Sequence, residues 1–300
     1  MKKSQKRWLI GGAVLMLAGA LLFVGVMAAL GFDFMKLGTV PFENNTYEIT
    51  EPFQAINITD STTDIQFAPS QDGTCKIVCH EQQSLKHFPT VLNNTLYLQQ
   101  IDTRQWYEYI ALNFERATMT VYLPQECYTH LKIDTNTGDV QIPADFTFDT
   151  VRIEGDTGDV SCLAKITHSI NVDLDTGDLL INAASTLEAV YAETDTGEID
   201  LKNVRCDRLK TGSDTGDVTL TNVLSSDFIT VETDTGDIIF DRCDAERIYA
   251  ETDTGDIRGT LLSEKIFLTD SDTGDITVPN TDSGGTCELI TDTGDIEIEL

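Results

Sequence analysis

The chain has 300 residues, 41% of them apolar, and a formal charge of −30 at pH 7. Residues 131–300 hold 38 acidic against 11 basic side chains, whereas residues 1–130 hold 12 against 9. Proteins bind nucleic acids by neutralising phosphates with Lys and Arg, so this balance argues against DNA or RNA as a partner. The apolar content suffices for a sizeable core, and the acidity therefore belongs to a folded, solvated surface.

The first 32 residues predict a membrane anchor. Four basic residues lie within a short tail, 1–7, and an uncharged apolar stretch of 25 residues follows at 8–32. A transmembrane helix needs about 20 such residues. The basic tail favours a cytoplasmic N-terminus, which makes the rest of the chain extracytoplasmic. A cleavable signal peptide, with a small-residue site at 26–28, is the alternative, although its apolar region should be shorter.

The next segment predicts a stalk at 33–45 and an irregular β region at 46–130. Short alternating or β-branched runs separated by Pro, Gly, Asn or Asp predict strands. These runs are Tyr47–Thr50, Gln54–Thr59, Asp64–Ala68, Thr74–His80, Thr95–Gln100 and Thr118–Leu123. The aromatic cluster Trp106–Ile110 favours packing of a hairpin that caps the core, and a carbohydrate or peptide platform is the alternative.

A five-residue phrase built on Asp-Thr-Gly-Asp recurs through residues 131–300. Its glycines, separated by 19 or 20 residues, are Gly138, Gly158, Gly177, Gly197, Gly216, Gly236, Gly255, Gly274 and Gly294. Residues two and four positions after glycine are almost all apolar, as are those seven positions before it, and polar residues alternate with them. This pattern predicts a strand, a corner and a second strand in every repeat. The fold class is therefore all-β: a parallel β-solenoid with coils of about 19–20 residues, preceded by one N-terminal transmembrane helix.

The glycines are predicted structural turn residues, since the corner requires a positive φ. The columns immediately flanking the Thr-Gly pair hold 17 acidic residues in 18 places, and the Asp before it is expected to close an Asx turn. Stacked carboxylates repel one another, so the columns either bind Ca²⁺, which prefers oxygen ligands, or keep a β-rich surface soluble. The Ca²⁺ candidates are Asp195, Asp214, Asp217, Asp234, Asp237, Asp253, Asp256, Asp272 and Asp275. No other cofactor is indicated.

Catalytic motifs find little support in the sequence. Aspartic proteases also carry Asp-Thr-Gly, but they need two facing copies that share a proton, and eight copies at a constant step cannot be arranged that way. A solenoid enzyme acting on glycans is a further alternative. The seven cysteines fit buried small hydrophobes better than disulfides. The chain stops at Glu297-Ile298-Glu299-Leu300, and an open C-terminal coil is expected there, through which copies could associate.

Three further features carry a family resemblance: the opening strand Phe53–Ile58, the step Asp64–Phe67, and Thr120–Pro124 ahead of the Thr-Gly-Asp corners. With the membrane span, they make residues 47–300 resemble the bacterial putative-adhesin domain family of unknown function, which includes LiaG-like proteins. The resemblance implies a β-solenoid in the bacterial cell envelope and supplies no catalytic residues. We therefore expect a membrane-anchored, non-catalytic, adhesin-like or envelope-stress scaffold with a protein or cell-wall partner.

Overall fold

The computed structural model describes residues 3–33, 40–110, 115–183 and 186–300. Residues 1–2 of the predicted tail and 34–39 of the predicted stalk lie outside these ranges. Helix α1 (Lys3–Ala29) contains the segment Arg7–Ala29, which is long and apolar enough to cross a membrane. A signal sequence near an N-terminus has the same length and composition, so this helix is an anchor or a signal sequence.

Within the described ranges, twenty-five strands follow the helix. The N-terminal ones are β1 (Phe42–Ile49), β2 (Ala55–Asp60), β3 (Thr63–Pro69), β4 (Cys75–Gln82), β5 (Leu85–Leu92), β6 (Thr95–Asp102) and β7 (Ala117–Leu123). The remainder are β8 (Cys127–Thr137), β9 (Val140–Ile142), β10 (Thr147–Thr157), β11 (Val160–Cys162), β12 (Lys165–Thr176), β13 (Leu179–Asn182), β14 (Thr186–Thr196), β15 (Ile199–Lys202), β16 (Arg205–Thr215), β17 (Val218–Thr221), β18 (Leu224–Thr235), β19 (Ile238–Cys243), β20 (Arg247–Thr254), β21 (Ile257–Leu261), β22 (Lys265–Thr273), β23 (Ile276–Thr277), β24 (Gly285–Thr293) and β25 (Ile296–Glu299).

Each repeat contributes one long strand before the corner and one short strand after it. The long strands join β2, β5 and β6 in a 12-stranded sheet, and the short strands join β1, β3, β4 and β7 in a 13-stranded sheet. The two sheets enclose the core. Equivalent residues of successive coils pair in parallel, as Val190 does with Leu209 and Ile199 with Val218. The predicted parallel β-solenoid is confirmed.

The apolar columns predicted from the repeats line the interior of the solenoid. Val140, Val160, Leu179 and Ile199 are all buried, and the polar residues between them face outward. Large aromatic side chains fill the N-terminal part of the core, where Phe67 contacts Phe146 and Phe148 edge to face. Burial of this continuous apolar interior is the main source of stability for a stack of coils.

The corner cannot accept a side chain at its glycine. At Gly197 the φ angle is 154°, and a Cβ atom would lie 2.0 Å from the carbonyl oxygen of Gly177 in the preceding coil. Both the backbone conformation and the spacing of the coils therefore require glycine.

The N-terminal end is a cap built from β1 to β7. β1 begins at Phe42, so residues 42–45 of the predicted stalk belong to a strand. The sequence prediction also missed β5, an edge strand that contains Pro89 and joins β6 through Asn93 and Asn94, both with positive φ. Proline is tolerated there because an edge strand lacks one neighbour to which its missing N–H would donate.

The C-terminal end departs from the chain order. β25 lies between β21 and β23, and β24 lies between β20 and β22. The last coil in sequence is thus inserted one position inward, where it pairs on both sides. The open coil of the solenoid is the one built from β22 and β23, which corrects the expectation that the C-terminal coil is open.

Candidate functional site: the acidic corner

The corner brings two columns of acidic side chains to one edge of the solenoid. One column precedes each Thr-Gly pair and the other follows it, and each advances one member per coil at about 4.8 Å. The column before consists of Asn136, Asp156, Asp175, Asp195, Asp214, Asp234, Asp253, Asp272 and Asp292. The column after consists of Asp139, Asp159, Asp178, Glu198, Asp217, Asp237, Asp256, Asp275 and Asp295.

The column after glycine forms a hydrogen-bonded ladder. The Oδ1 atom of Asp159 accepts the backbone N–H of Asp178 at 2.9 Å, and Asp178 in turn accepts that of Glu198 at 2.9 Å. The same bond recurs in the other Asp-to-next-coil steps, over 2.8–3.1 Å. Each of these aspartates therefore satisfies a backbone donor of the next coil, which gives this column a structural role.

The column before glycine has no such use. Within the described chain, its one side-chain hydrogen bond joins Asn136 Nδ2 to Asp156 Oδ2 at 3.1 Å, so the expected Asx turns do not form. Its aspartates are exposed. They contribute to an open groove of about 210 Å³ whose acidic lining residues are Glu193, Asp195, Asp214, Glu232 and Asp234. Lys210 lies 3.0 Å from Glu193 and 3.7 Å from Glu232, so the uncompensated charge of this groove is that of its three aspartates.

The structure separates the nine Ca²⁺ candidates into two kinds. Asp195, Asp214, Asp234, Asp253 and Asp272 belong to the exposed column, whereas Asp217, Asp237, Asp256 and Asp275 belong to the ladder column. The inserted last coil also places Asp292 between Asp253 and Asp272, and Asp295 between Asp256 and Asp275. Neither Asp292 nor Asp295 was among the candidates. Sequence order alone implies that Asp253 and Asp272 are direct neighbours, as are Asp256 and Asp275.

One cation of the chain already serves part of the ladder. Arg258 Nη2 lies 2.8 Å from Asp237 Oδ2, and its Nη1 lies 3.5 Å from Asp256 Oδ2. Elsewhere the outer face of the long-strand sheet pairs Lys132 with Asp134, and Lys210 with Glu193. These exposed ion pairs neutralise individual carboxylates and leave most of the negative charge of the two columns without a basic partner.

Crowding of carboxylates is visible at Asp173, next to the corner. Partial desolvation and the neighbouring charges of Glu193, Glu154, Asp175 and Asp195 raise the pKa of this side chain. On the same sheet face, Asn171 occupies the position at which nearby coils carry Lys or Arg. Neighbouring carboxylates on this surface therefore repel one another at neutral pH.

A second cluster of titratable side chains lies buried in the N-terminal cap. His87 Nε2 lies 2.5 Å from Asp60 Oδ2, and its Nδ1 lies 2.6 Å from Glu81 Oε2, all fully buried. With Cys79, Glu81 and His87 form the one group in the described residues whose three metal-ligating atoms lie within 4.8 Å of one another. The acidic columns of the corner form no such group among the described residues.

The buried cluster is explained without a metal. Burial alone would lower the pKa of His87, but hydrogen bonds to Asp60, Cys79 and Glu81 outweigh it and raise the pKa to about 11. Both ring nitrogens then carry protons and donate to carboxylates. Asp60 also accepts the backbone N–H groups of Thr62 and Thr63. A charged imidazole held between two carboxylates accounts for the arrangement as a buried ion triad.

The aromatic cluster at 106–110 is not part of the core. Trp106 and Ile110 are each 76% exposed, and Tyr107 and Tyr109 are 55% and 59% exposed. The expectation that these side chains pack beneath a capping hairpin is therefore wrong. β5 and β6 do form that hairpin, but the aromatic turn extends beyond it.

Sequence reasoning also missed a hydroxyl column inside the corner. Thr194, Ser213 and Thr252 direct their Oγ atoms to the carbonyl oxygens of Gly177, Gly197 and Gly236 at 3.0–3.2 Å. The threonine next to glycine is exposed and lies outside this column. A three-residue offset from glycine was the available signal, since Thr or Ser stands there in seven of nine repeats.

Comparison with known proteins identifies relatives of this architecture. The model of the Toastrack DUF4097 family matches residues 53–186 and 163–300. A solved putative adhesin from Bacteroides fragilis NCTC 9343 is 17% identical, with a TM-score of 0.50 over 86% of this chain and 97% of that one. A putative adhesin from Parabacteroides distasonis ATCC 8503 is 12% identical, with a TM-score of 0.56 over 87% and 98%. No curated protein gives a significant match. These structural similarities concern the fold.

Proposed function

The chain belongs to the Toastrack DUF4097 family, and from this membership we propose that it is a single-pass protein of the bacterial cell envelope. α1 anchors it, and the β-solenoid projects from the outer side of the membrane as a non-catalytic, adhesin-like or envelope-stress scaffold. Its partner is a protein or a cell-wall component.

This proposal rests on the observation that the two ends of the solenoid differ. The anchor joins the solenoid at β1, at one end of the short-strand sheet, and the open coil of β22 and β23 lies at the other end. Twelve strands about 4.8 Å apart give a length of about 55 Å. A rod attached at one end and open at the other presents its free coil well away from the bilayer.

The free coil has the composition of a contact surface. Ile266, Leu268 and Ile276 are 42%, 53% and 43% exposed on β22 and β23, and Leu262 is 53% exposed just before them. Elsewhere along the solenoid the outward columns of Ile266 and Leu268 are mostly polar, whereas Ile276 ends a column that is apolar and buried in the other coils. An unpaired edge with apolar side chains favours strand pairing with a partner or with a second copy.

Site-specific photocrosslinking in intact cells tests this function. A crosslinking residue at Leu268 should capture a defined envelope partner, whereas the same residue at Arg152, in the equivalent column seven coils away, should not. Equal labelling from both positions would contradict recognition by the free coil. Protease added outside the cells should digest residues 46–300, and protection of that region would contradict the topology.

Calcium binding at the acidic corner is the second candidate function, supported by the uncompensated column before glycine. If ions bridge the groove lined by Asp195, Asp214 and Asp234, millimolar Ca²⁺ should raise the melting temperature above that in chelator at equal ionic strength. Replacing all three by Asn should abolish that rise. Replacing the exposed Asp207, Asp227 and Glu188 by their amides removes equal charge and should leave it intact. An unchanged melting temperature of the unmodified chain contradicts calcium binding.

Glycan-directed catalysis is the remaining alternative, and the arrangement of cations gives it less support. Lys132 and Lys210 are each paired with a carboxylate of an adjacent coil, and Arg152 with Glu154 of its own strand. A general acid and base facing one substrate would require such groups to converge on a cleft. Hydrolysis of cell-wall or capsular glycans by the purified chain would overturn the non-catalytic assignment.

A further inference from the structure

Residues 104–110 form an exposed aromatic turn beyond the end of β6. Trp106, Tyr107, Tyr109 and Ile110 are all more than half exposed, and a single turn of 3-10 helix at Glu108–Ile110 orders their backbone. Trp106 and Tyr107 contact each other edge to face, with ring centroids 5.9 Å apart. Such a concentration of apolar and aromatic surface marks a contact site rather than a solvated loop.

Polar contacts hold the turn in one arrangement. Arg104 forms a two-atom ion pair with Asp102, and its guanidinium lies 4.4 Å from the ring centroid of Tyr109. The Tyr109 hydroxyl donates to Asp102 at 3.0 Å, and Glu108 accepts the backbone N–H of Gln105 at 2.6 Å. The aromatic side chains are thus presented on an organised base, which lowers the entropy lost on binding.

The turn lies beside the point where the chain enters the β domain from α1. Pro41 accepts the backbone N–H of Gln83 at 3.0 Å, and the adjacent Ser84 accepts that of Thr103 at 2.8 Å. The turn between β4 and β5 therefore contacts both the incoming chain and the start of the aromatic turn. Seven residues, 34–40, connect the described end of the helix region to Pro41 and can span at most about 25 Å.

Charge favours the same end of the molecule for approach to a bilayer. The cap, residues 42–123, holds 10 acidic and 4 basic side chains, whereas residues 131–300 hold 38 and 11. Anionic headgroups therefore repel the cap less than they repel the acidic coils. Trp and Tyr rings suit the membrane–water interface because each has an apolar body and a polar tip.

We propose that the turn formed by Trp106, Tyr107, Tyr109 and Ile110 inserts into the headgroup region of the membrane that holds the anchor. This inference rests on the proposed anchoring by α1. The contact would fix the rod against the membrane at a second point, beside its connection to α1. Its ligand is a lipid surface, recognised through aromatic side chains at the headgroup boundary.

Tryptophan quenching in the full chain tests the proposal, since the chain has two tryptophans, Trp8 and Trp106. Trp8→Phe leaves Trp106 as the sole reporter, and Trp106→Phe leaves Trp8. Both variants are reconstituted into phosphatidylcholine vesicles that carry bromine either near the headgroup or near the end of the acyl chain. We expect blue-shifted Trp106 emission that bromine near the headgroup quenches more strongly than bromine at the chain end.

The two reporters separate failure of the turn from failure of the anchor. Quenching of Trp8 with water-exposed, unquenched emission from Trp106 would overturn membrane contact by the turn and leave the anchor standing. If neither tryptophan is quenched, the anchor fails and the membrane contact fails with it. Blue-shifted Trp106 emission that bromine does not quench, in detergent and vesicles alike, would indicate burial against protein and would also overturn the proposal.

Discussion

Asp178 accepts the backbone N–H of Glu198 at 2.9 Å, but Glu198 makes no equivalent bond to Asp217 in the described chain. The ladder of the column after glycine is interrupted at the one repeat that carries Glu. The additional methylene of Glu moves the carboxylate beyond the position from which Asp accepts the next amide. The requirement for an acidic residue here is therefore a requirement for the length of Asp and for its acceptor oxygen.

Glu198→Asp should complete the ladder and stabilise the protein by about 0.5–1.5 kcal/mol, the usual net contribution of one hydrogen bond. Urea unfolding, compared at equal slope, measures this difference. Glu246→Asp, which makes the same chemical change at an exposed position outside the ladder, is the control and should have little effect. A Glu198→Asp protein that is no more stable than the unmodified one would show that the Asp217 amide is satisfied by water.

At Asp178 an amide and a methyl should have different effects. Asn keeps an acceptor oxygen and removes one of the stacked charges, so Asp178→Asn should be neutral or slightly stabilising. Asp178→Ala deprives the Glu198 amide of its acceptor and should cost about 1–3 kcal/mol. Both changes remove one charge, so a charge effect alone predicts equal stabilities. Equal unfolding free energies would contradict the role of the ladder.

The period of the repeats was sufficient to predict the solenoid, because one inward column after another is apolar at constant spacing from glycine. Asp64 takes the equivalent ladder position ahead of the first repeat, since its Oδ1 accepts the Asp139 amide and β3 pairs with β9. Local pattern determined these features. The buried triad was not predictable in the same way, because Asp60, Glu81 and His87 come from three different strands.

The inserted last coil shows a different limit. Every repeat has compatible columns, so the sequence pattern does not distinguish the order of β22 and β24 in the sheet. The loop between β23 and β24 lets the chain return to the preceding coil, with Gly284 at a φ of 103°. Register within a coil follows from the two-residue alternation, whereas the order of coils depends on how loops connect them.

Gly197→Ala should destabilise the solenoid strongly. The new Cβ would lie 2.0 Å from the Gly177 carbonyl oxygen at a backbone φ of 154°, so neighbouring coils must separate. We expect a loss of more than about 3 kcal/mol, in the range of severe local disruptions. Gly155→Ala is the matched control, because the nearest atom to its Cβ is the end of the Leu174 side chain at 3.1 Å. Similar losses at both positions would contradict the corner constraint.

His87→Gln should remove the only charge that compensates Asp60 and Glu81 in their buried triad. Breaking a buried ion pair by removing one partner typically costs about 3–5 kcal/mol. His168→Gln, at an exposed surface histidine, should change the unfolding free energy by less than about 0.5 kcal/mol. A small effect at His87 would mean that the cap holds its carboxylates protonated.

The pH dependence should identify the same triad. The folded pKa of His87, about 11, exceeds the ordinary value of 6.5, so its stabilisation is complete below pH 6.5 and is lost as pH rises toward 11. Burial would raise the pKa of Glu81, but hydrogen bonds to His87 and Asn45 lower it from 4.5. The stabilisation that Glu81 contributes is therefore lost as pH falls below 4.5. The difference between unmodified and His87→Gln proteins should therefore be largest between pH 4.5 and 6.5. A pH-independent difference would contradict the charged triad.

Cys127 should be the one cysteine that reacts with a thiol reagent in the folded protein. The other six are buried, and all seven are free. Burial raises the pKa of Cys162 to about 12 and that of Cys243 to about 11, which leaves little thiolate at neutral pH. We expect one labelled thiol in native buffer and seven in denaturant, with Cys127→Ser abolishing the native reaction. Fewer than seven thiols in denaturant without reductant would reveal a disulfide. More than one in native buffer would mean that the coils open, since the buried thiols become reachable only when neighbouring strands separate.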